Sequence, residues 1–158
     1  EQKRNPVHTL EYITKLSDKI GENIKGMNYD DSVIVYEKND GYYRLNVKTG
    51  ETKEIWHKHF SHWNIELSPN GNFCASTEER FGPNIINVYV HSTGNYFDID
   101  GPRPPNTRNH IYKRDFINSI DNDGTLQADS GTYLYRKGMY VHNGLFRPKG
   151  LKIKKFEK

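Results

Sequence analysis

A single cysteine, Cys74, among 158 residues excludes an intrachain disulfide and a cysteine-rich zinc site. It lies in Phe73-Cys74-Ala75-Ser76, where a thiol is expected as a small buried side chain. Apolar residues are scarce, at 34%, and nowhere form the roughly 20-residue run of a membrane-spanning helix. No secretory leader is visible either, and Glu1 is not an initiator methionine, so the chain is expected to be processed or cut from a longer one; no compartment is written in it. Charge of one sign is also lacking. A net +3, with acids and bases interspersed, falls short of the focused excess that nucleic-acid binding uses. The one basic concentration, residues 147–158 (RPKGLKIKKFEK), is expected to be a solvated terminal strand. Missing too are GxSxG, the P-loop, GxGxxG and HExxH, the short signatures of several large enzyme classes.

What is present points to β-structure. Aromatic residues reach 13%, eleven of them tyrosine, and such side chains bury large areas while keeping a polar end near water. With a mean hydropathy of −0.93, this composition fits a soluble β-protein with a wet surface better than a disordered chain.

Laid against itself, the chain shows two segments alike in kind, 32–56 and 72–99. Each begins with a run suited to a buried strand, VIVY or FCAS. Each crosses a polar connection, EKNDG or EERFGPN, into a second strand, YYRLNV or INVYV. That strand closes at a turn ending in Thr-Gly, Thr49-Gly50 or Thr93-Gly94, and a third follows, ETKEIW or NYFDI. Ahead of the second segment come WNIEL and the hairpin signal Asn70-Gly71. A weaker third copy starts at FINSI (116–120) and continues through Asp121-Asn122-Asp123-Gly124, TLQAD, TYLYR and MYVHN.

Four-strand units at such spacing suit propeller blades. Residues 63–99 resemble a blade of the TolB-type or WD40-like β-propellers, in which a Ser-Pro-Asp/Asn-Gly turn follows the innermost strand; here it is Ser68-Pro69-Asn70-Gly71. Residues 32–56 resemble the outer three strands of a neighbouring blade. No WD dipeptide or GH pair is present, which argues against a true WD40 protein. The resemblance implies a single all-β domain over 1–158, made of propeller-like four-stranded antiparallel meanders at about 22–57, 62–100 and 114–147. It implies nothing specific about activity, because the fold hosts many. Three blades do not close a ring. The alternatives are an incomplete propeller, a fragment of a larger one, a ring completed by a second copy, or another all-β fold such as a sandwich. The stretch 8–18 alternates Leu10, Tyr12, Thr14 and Leu16 as an outer strand would, yet a short N-terminal helix also fits it.

In such a meander the connections sort to two ends. WHKHFSHW (56–63), EERFGPN (78–84) and the long 98–115 share one end, which places His57, His59, His62, Glu78, Glu79, Arg80, Arg103, Arg108 and His110 on one surface. On an extended strand His57 and His59 would point the same way and could share an ion with Glu78 or Glu79. The favoured expectation is different: Trp56, Phe60 and Trp63 pack between units while the histidines face water. Glu78 and Glu79, adjacent on a strand, point to opposite faces and make a poor acid–base pair. Asp121-Asn122-Asp123-Gly124 lacks the downstream glutamate of a calcium loop and is expected to be a plain turn. Tyr42, Tyr43, Tyr89, Tyr96, Tyr133 and Tyr135 are expected to pack rather than to form a stacking surface.

The resulting expectation is a non-catalytic binding or scaffold module without a cofactor. It would recognise a protein partner or glycan through Trp56, His59, His62, Trp63, Glu79, Arg80, Arg103 and Arg108. The alternatives are a metal-dependent hydrolase or lyase using His57, His59 or His62 with Glu78 or Glu79, and an accessory propeller fragment of a larger enzyme.

Overall fold

The computed structural model describes residues 23–57, 59, 61–79, 84–100, 116–144, 148 and 150–157. Among them every regular element is a β-strand, as the β-branched and aromatic runs require. The first sheet is the antiparallel meander β1 (Ile24–Met27), β2 (Val33–Lys38), β3 (Gly41–Asn46) and β4 (Thr52–His57). The second is β5 (His62–Leu67), β6 (Phe73–Glu79), β7 (Asn84–Val90) and β8 (Asn95–Asp100). The third is β9 (Ile117–Ile120), β10 (Leu126–Ala128), β11 (Gly131–Arg136) and β12 (Met139–His142). The chain then returns to the second sheet, where β13 (Lys152–Glu157) pairs antiparallel with β8 as a fifth strand. Among the described residues no sheet closes on itself. β1 lies beside β5, and β5 beside β9, so the first strands of the three meanders are neighbours.

The turns after these first strands share one hydrogen-bond pattern. The N–H of Asn28 donates to Val33 O, that of Ser68 to Phe73 O, and that of Asp121 to Thr125 O in a turn one residue shorter. Three residues on, the N–H of Asp31, Gly71 or Gly124 returns to the first residue's carbonyl, with φ of 59°, 76° and 87°. Side chains complete the first two turns, Asn28 Oδ1 accepting from Val33 N and Ser68 Oγ from Phe73 N. The turns are also joined to one another. Asn28 Nδ2 donates to Pro69 O at 3.1 Å, and Asn70 N to Asn122 Oδ1 at 2.8 Å. The same end of all three sheets therefore meets, and alternation of strand direction puts the strand ends at His57, His62, Glu79, Asn84, Asp100 and Ile117 at the opposite end.

Two cores lie between the sheets. Val33, Val35, Tyr42, Ile55 and Trp56 of the first pack against Ile65, Leu67, Cys74, Tyr89 and Tyr96 of the second. On the other face of the second sheet, Phe73, Ala75, Ile86, Val88, Phe97 and Ile99 meet Ile117, Ile120, Leu126, Tyr133 and Tyr140 of the third. Tyr42, Tyr89, Tyr96 and Tyr133 are buried, as their strand positions suggest, and Tyr43 and Tyr135 are half-buried. Cys74 is buried too, and its thiol is pushed up to about 12 by desolvation. β13 puts one apolar side chain on each face, Ile153 in one core and Phe156 in the other, while Lys152, Lys154 and Lys155 face solvent, as suits an edge strand.

The residues 8–18, with their competing strand and helix expectations, lie outside the described residues. Two strands were not legible as sheet members. β1 is short and contains Gly26, and β13 declares its partner only through its pairing with β8.

At the turn end, His91 bridges two meanders: Nε2 lies 3.3 Å from Glu51 Oε1, and Nδ1 lies 3.0 Å from Tyr89 Oη. Desolvation and the nearby Arg44 hold its pKa below the usual 6.5, Glu51 opposing and Lys53 reinforcing. A histidine lowered in the folded state takes up less proton than the unfolded chain. Its contribution to stability is therefore complete above pH 6.5 and is lost as pH falls below it. Relative to His91→Gln, the natural chain should lose stability between pH 7.5 and 5, read from urea midpoints. An unchanged difference across that range would contradict this.

Candidate functional site

The segment 56–63 joins β4 to β5 and brings its two ends together. Trp56 and His62 stack with ring centres 4.9 Å apart and planes inclined by 11°. Tyr42 closes the third side edge-on, its ring 4.9 Å from that of His62. Its hydroxyl accepts from His62 N at 3.1 Å and reaches His62 O at 3.3 Å. Trp56 is 2% exposed and His62 6%. His62 was expected to face water and belongs to the interior instead; Trp56, also offered as a ligand contact, packs between sheets, as the favoured expectation had it.

A buried polar cluster continues from this clasp into the second sheet. Trp56 Nε1 donates to Asn87 Oδ1 at 2.6 Å, and Asn87 Nδ2 donates to Glu78 Oε2 at 3.2 Å and Asp98 Oδ1 at 2.7 Å. His62 Nδ1 lies 2.6 Å from Ser76 Oγ, and its Nε2 lies 4.0 Å from Glu78 Oε2. Ser76, His62 and Glu78 thus have the composition of a nucleophile, base and acid. Ser76 is fully buried, however, and a reacting carbonyl has no approach to Oγ. The cluster satisfies polar atoms between sheets, as a buried network must.

A bulge in β5 accounts for the unexpected burial of His62. Simple alternation along HWNIEL would set Trp63 with Ile65 and Leu67. The register runs from Trp63↔Thr77 to Glu66↔Ala75, so β5 spends one residue more than β6 between those pairs. The extra residue is accommodated at Asn64, with φ of 51°. His62 thereby joins the face of Ile65 and Leu67, and Trp63 turns to the other face. There its ring meets Phe116 edge-on at 5.3 Å. Trp63 is half-buried and Phe116 exposed. Further along β5, desolvation pushes the Glu66 carboxyl up.

The remaining described histidines do not converge. His57 ends β4, pairs with Glu54 at 3.3 Å and is solvent-exposed. His59 sits in a turn rather than on that strand, so the shared direction expected of His57 and His59 is not formed; it too is exposed. Glu78 and Glu79 do point to opposite faces, the first buried and the second exposed. Among the described residues no three of His, Cys, Asp and Glu are placed to hold a metal ion. His59, Trp63 and Glu79 remain as accessible or partly accessible members of the expected surface. Arg80, Arg103, Arg108, Phe60 and His110 lie outside the described residues. No described helix is long and apolar enough to cross a membrane. Phe116 was missed as a site residue, because a single phenylalanine before a short strand carries no sequence signal of its partner. The chain matches no family model, no curated protein and no solved structure.

Proposed function

We propose that the chain is a non-catalytic binding module. Its meanders act as β-propeller-type blades, similar to those of TolB-type or WD40-like proteins. Its recognition surface is the end carrying the connections 56–63, 78–84 and 100–114. The shared turns after β1, β5 and β9, and the adjacency of those strands, support the blade reading. Since three blades leave a ring open, the remaining positions fall to further blades or to a second copy. The ligand is a protein partner or a glycan, held by exposed polar and aromatic side chains such as His59, Trp63 and Glu79.

The observation that carries the non-catalytic reading is the burial of Ser76, His62 and Glu78 together. They have the composition of a catalytic triad, and here they lie on neighbouring strands of one sheet, covered by Trp56 and Tyr42 of the other. Ser76→Ala should therefore lower the unfolding free energy by about 1–3 kcal/mol, because His62 Nδ1 loses its hydroxyl. It should leave ligand binding unchanged. The check is urea unfolding beside a panel of ester, peptide and glycoside substrates, assayed with and without zinc. Turnover that vanishes in Ser76→Ala or His59→Ala while the fold survives would sink the reading.

A further inference from the structure

The bulge at Asn64 does more than place His62. A non-glycine residue in the left-handed region is strained and persists where its surroundings impose it. Here the imposing contact is to another sheet: Asn64 Oδ1 accepts from Ile117 N at 2.6 Å, the first N–H of β9. Phe116 is fixed from its other side, since Asp129 N donates to Phe116 O at 3.0 Å and Phe116 N to Asp129 Oδ2 at 3.4 Å. Two strained or tethered backbones thus set Trp63 and Phe116 edge to face across two sheets. Phe116 is nevertheless 44% exposed. Burial does not explain fixing an aromatic side chain and leaving it open to water, whereas a preorganised contact for a ligand does. Bulges recur beside binding sites for this reason.

Resting on the binding-module reading, the geometry points to Trp63 and Phe116 as a stacking platform for one ring of a neutral glycan. A pyranose has a face of polarised C–H bonds, which suits the negative face of an aromatic ring, and a rim of hydroxyls. Polar groups for that rim stand nearby. Asp129 is exposed and offers a carboxylate, and Asn118, two residues beyond Phe116, lies on the same solvent side, since Ile117 between them is buried. The carboxylate disfavours acidic sugars. One aromatic pair is far below the roughly 800 Å² per partner that a stable protein interface buries, which favours a sugar over a protein here.

The test uses the whole chain and its two tryptophan indole N–H resonances, assigned through Trp63→Phe. Cellohexaose, xylohexaose, mannohexaose and chitohexaose serve as probes, each to about 10 mM, above a Kd of about 1 mM expected for a single stacked ring. At least one should shift the Trp63 indole saturably and leave that of buried Trp56 in place. Phe116→Ala should weaken that sugar about tenfold, and Glu51→Gln, at the opposite end, should not. If no sugar shifts the indole, or if the shift survives Phe116→Ala unchanged, the platform is overturned. Either result leaves the binding-module reading standing, because that reading falls only to turnover lost in Ser76→Ala or His59→Ala.

Discussion

Asn87→Ala is expected to remove about 3–5 kcal/mol of stability, a large share of the roughly 5–15 kcal/mol that holds an ordinary domain folded. The amide of Asn87 is the hub between the first two sheets. It accepts the only side-chain proton that the Trp56 indole can donate, and it donates to the carboxylates of Glu78 and Asp98. Truncation leaves a buried N–H and a buried carboxylate each short of a partner. An orphaned group costs about 1–3 kcal/mol, and more when it is charged. Urea unfolding followed by tryptophan emission measures the loss directly. A loss below about 1 kcal/mol would mean that water replaces the amide and that the cluster is not dry.

Gly71→Ala should cost about 2–4 kcal/mol, and a natural control separates the two parts of that figure. At Gly71 φ is +76°, and an added Cβ would fall 2.5 Å from Val33 Cγ2 and 2.8 Å from Val33 Cβ. At Gly50 φ is +75°, and an added Cβ meets nothing within 4 Å. Gly50→Ala therefore reports the backbone penalty alone, about 1 kcal/mol. The remaining 1–3 kcal/mol at Gly71 is overpacking against the first sheet. The displaced turn also carries the carbonyl that buried Arg44 uses, Nε and one terminal nitrogen donating to Gly71 O at 3.2 and 2.9 Å. Equal losses at the two glycines would show that the contact between the turn and Val33 yields without cost.

The all-β character and the turns were legible because they depend on local chemistry. Asn70-Gly71, Thr49-Gly50 and Thr93-Gly94 announce turns by residue type, and runs such as Val33–Tyr36 announce strands. The strands of the third meander were read in the same way. The candidate site was legible as a segment and not as a set of contacts. One inserted residue at Asn64 reverses every face assignment before it on β5, which sends His62 inward and Trp63 toward Phe116. Asn64 itself carries no mark of this, for asparagine is as ordinary in a loop as in a bulge. Nor does spacing reveal that Ser76 and Glu78 meet His62, which depends on the bulged register of β5 against β6, or that Asn87 meets Trp56, which depends on how two sheets stack.

The return of β13 to β8 also sets an order of events. The third meander lies, in sequence, wholly between two hydrogen-bonded neighbours of the second sheet. As the chain leaves the ribosome, β8 emerges with one edge unpaired and waits for the third meander to be made before Lys152–Glu157 arrive. Closing that long loop is the slowest kind of contact to form. In the interval the second sheet exposes the edge that most readily recruits a strand from another nascent chain. When β13 docks, it replaces that edge with one carrying Lys152, Lys154 and Lys155, whose mutual repulsion discourages a further strand from adding. The returning strand thus ends the growth of the sheet as well as completing it.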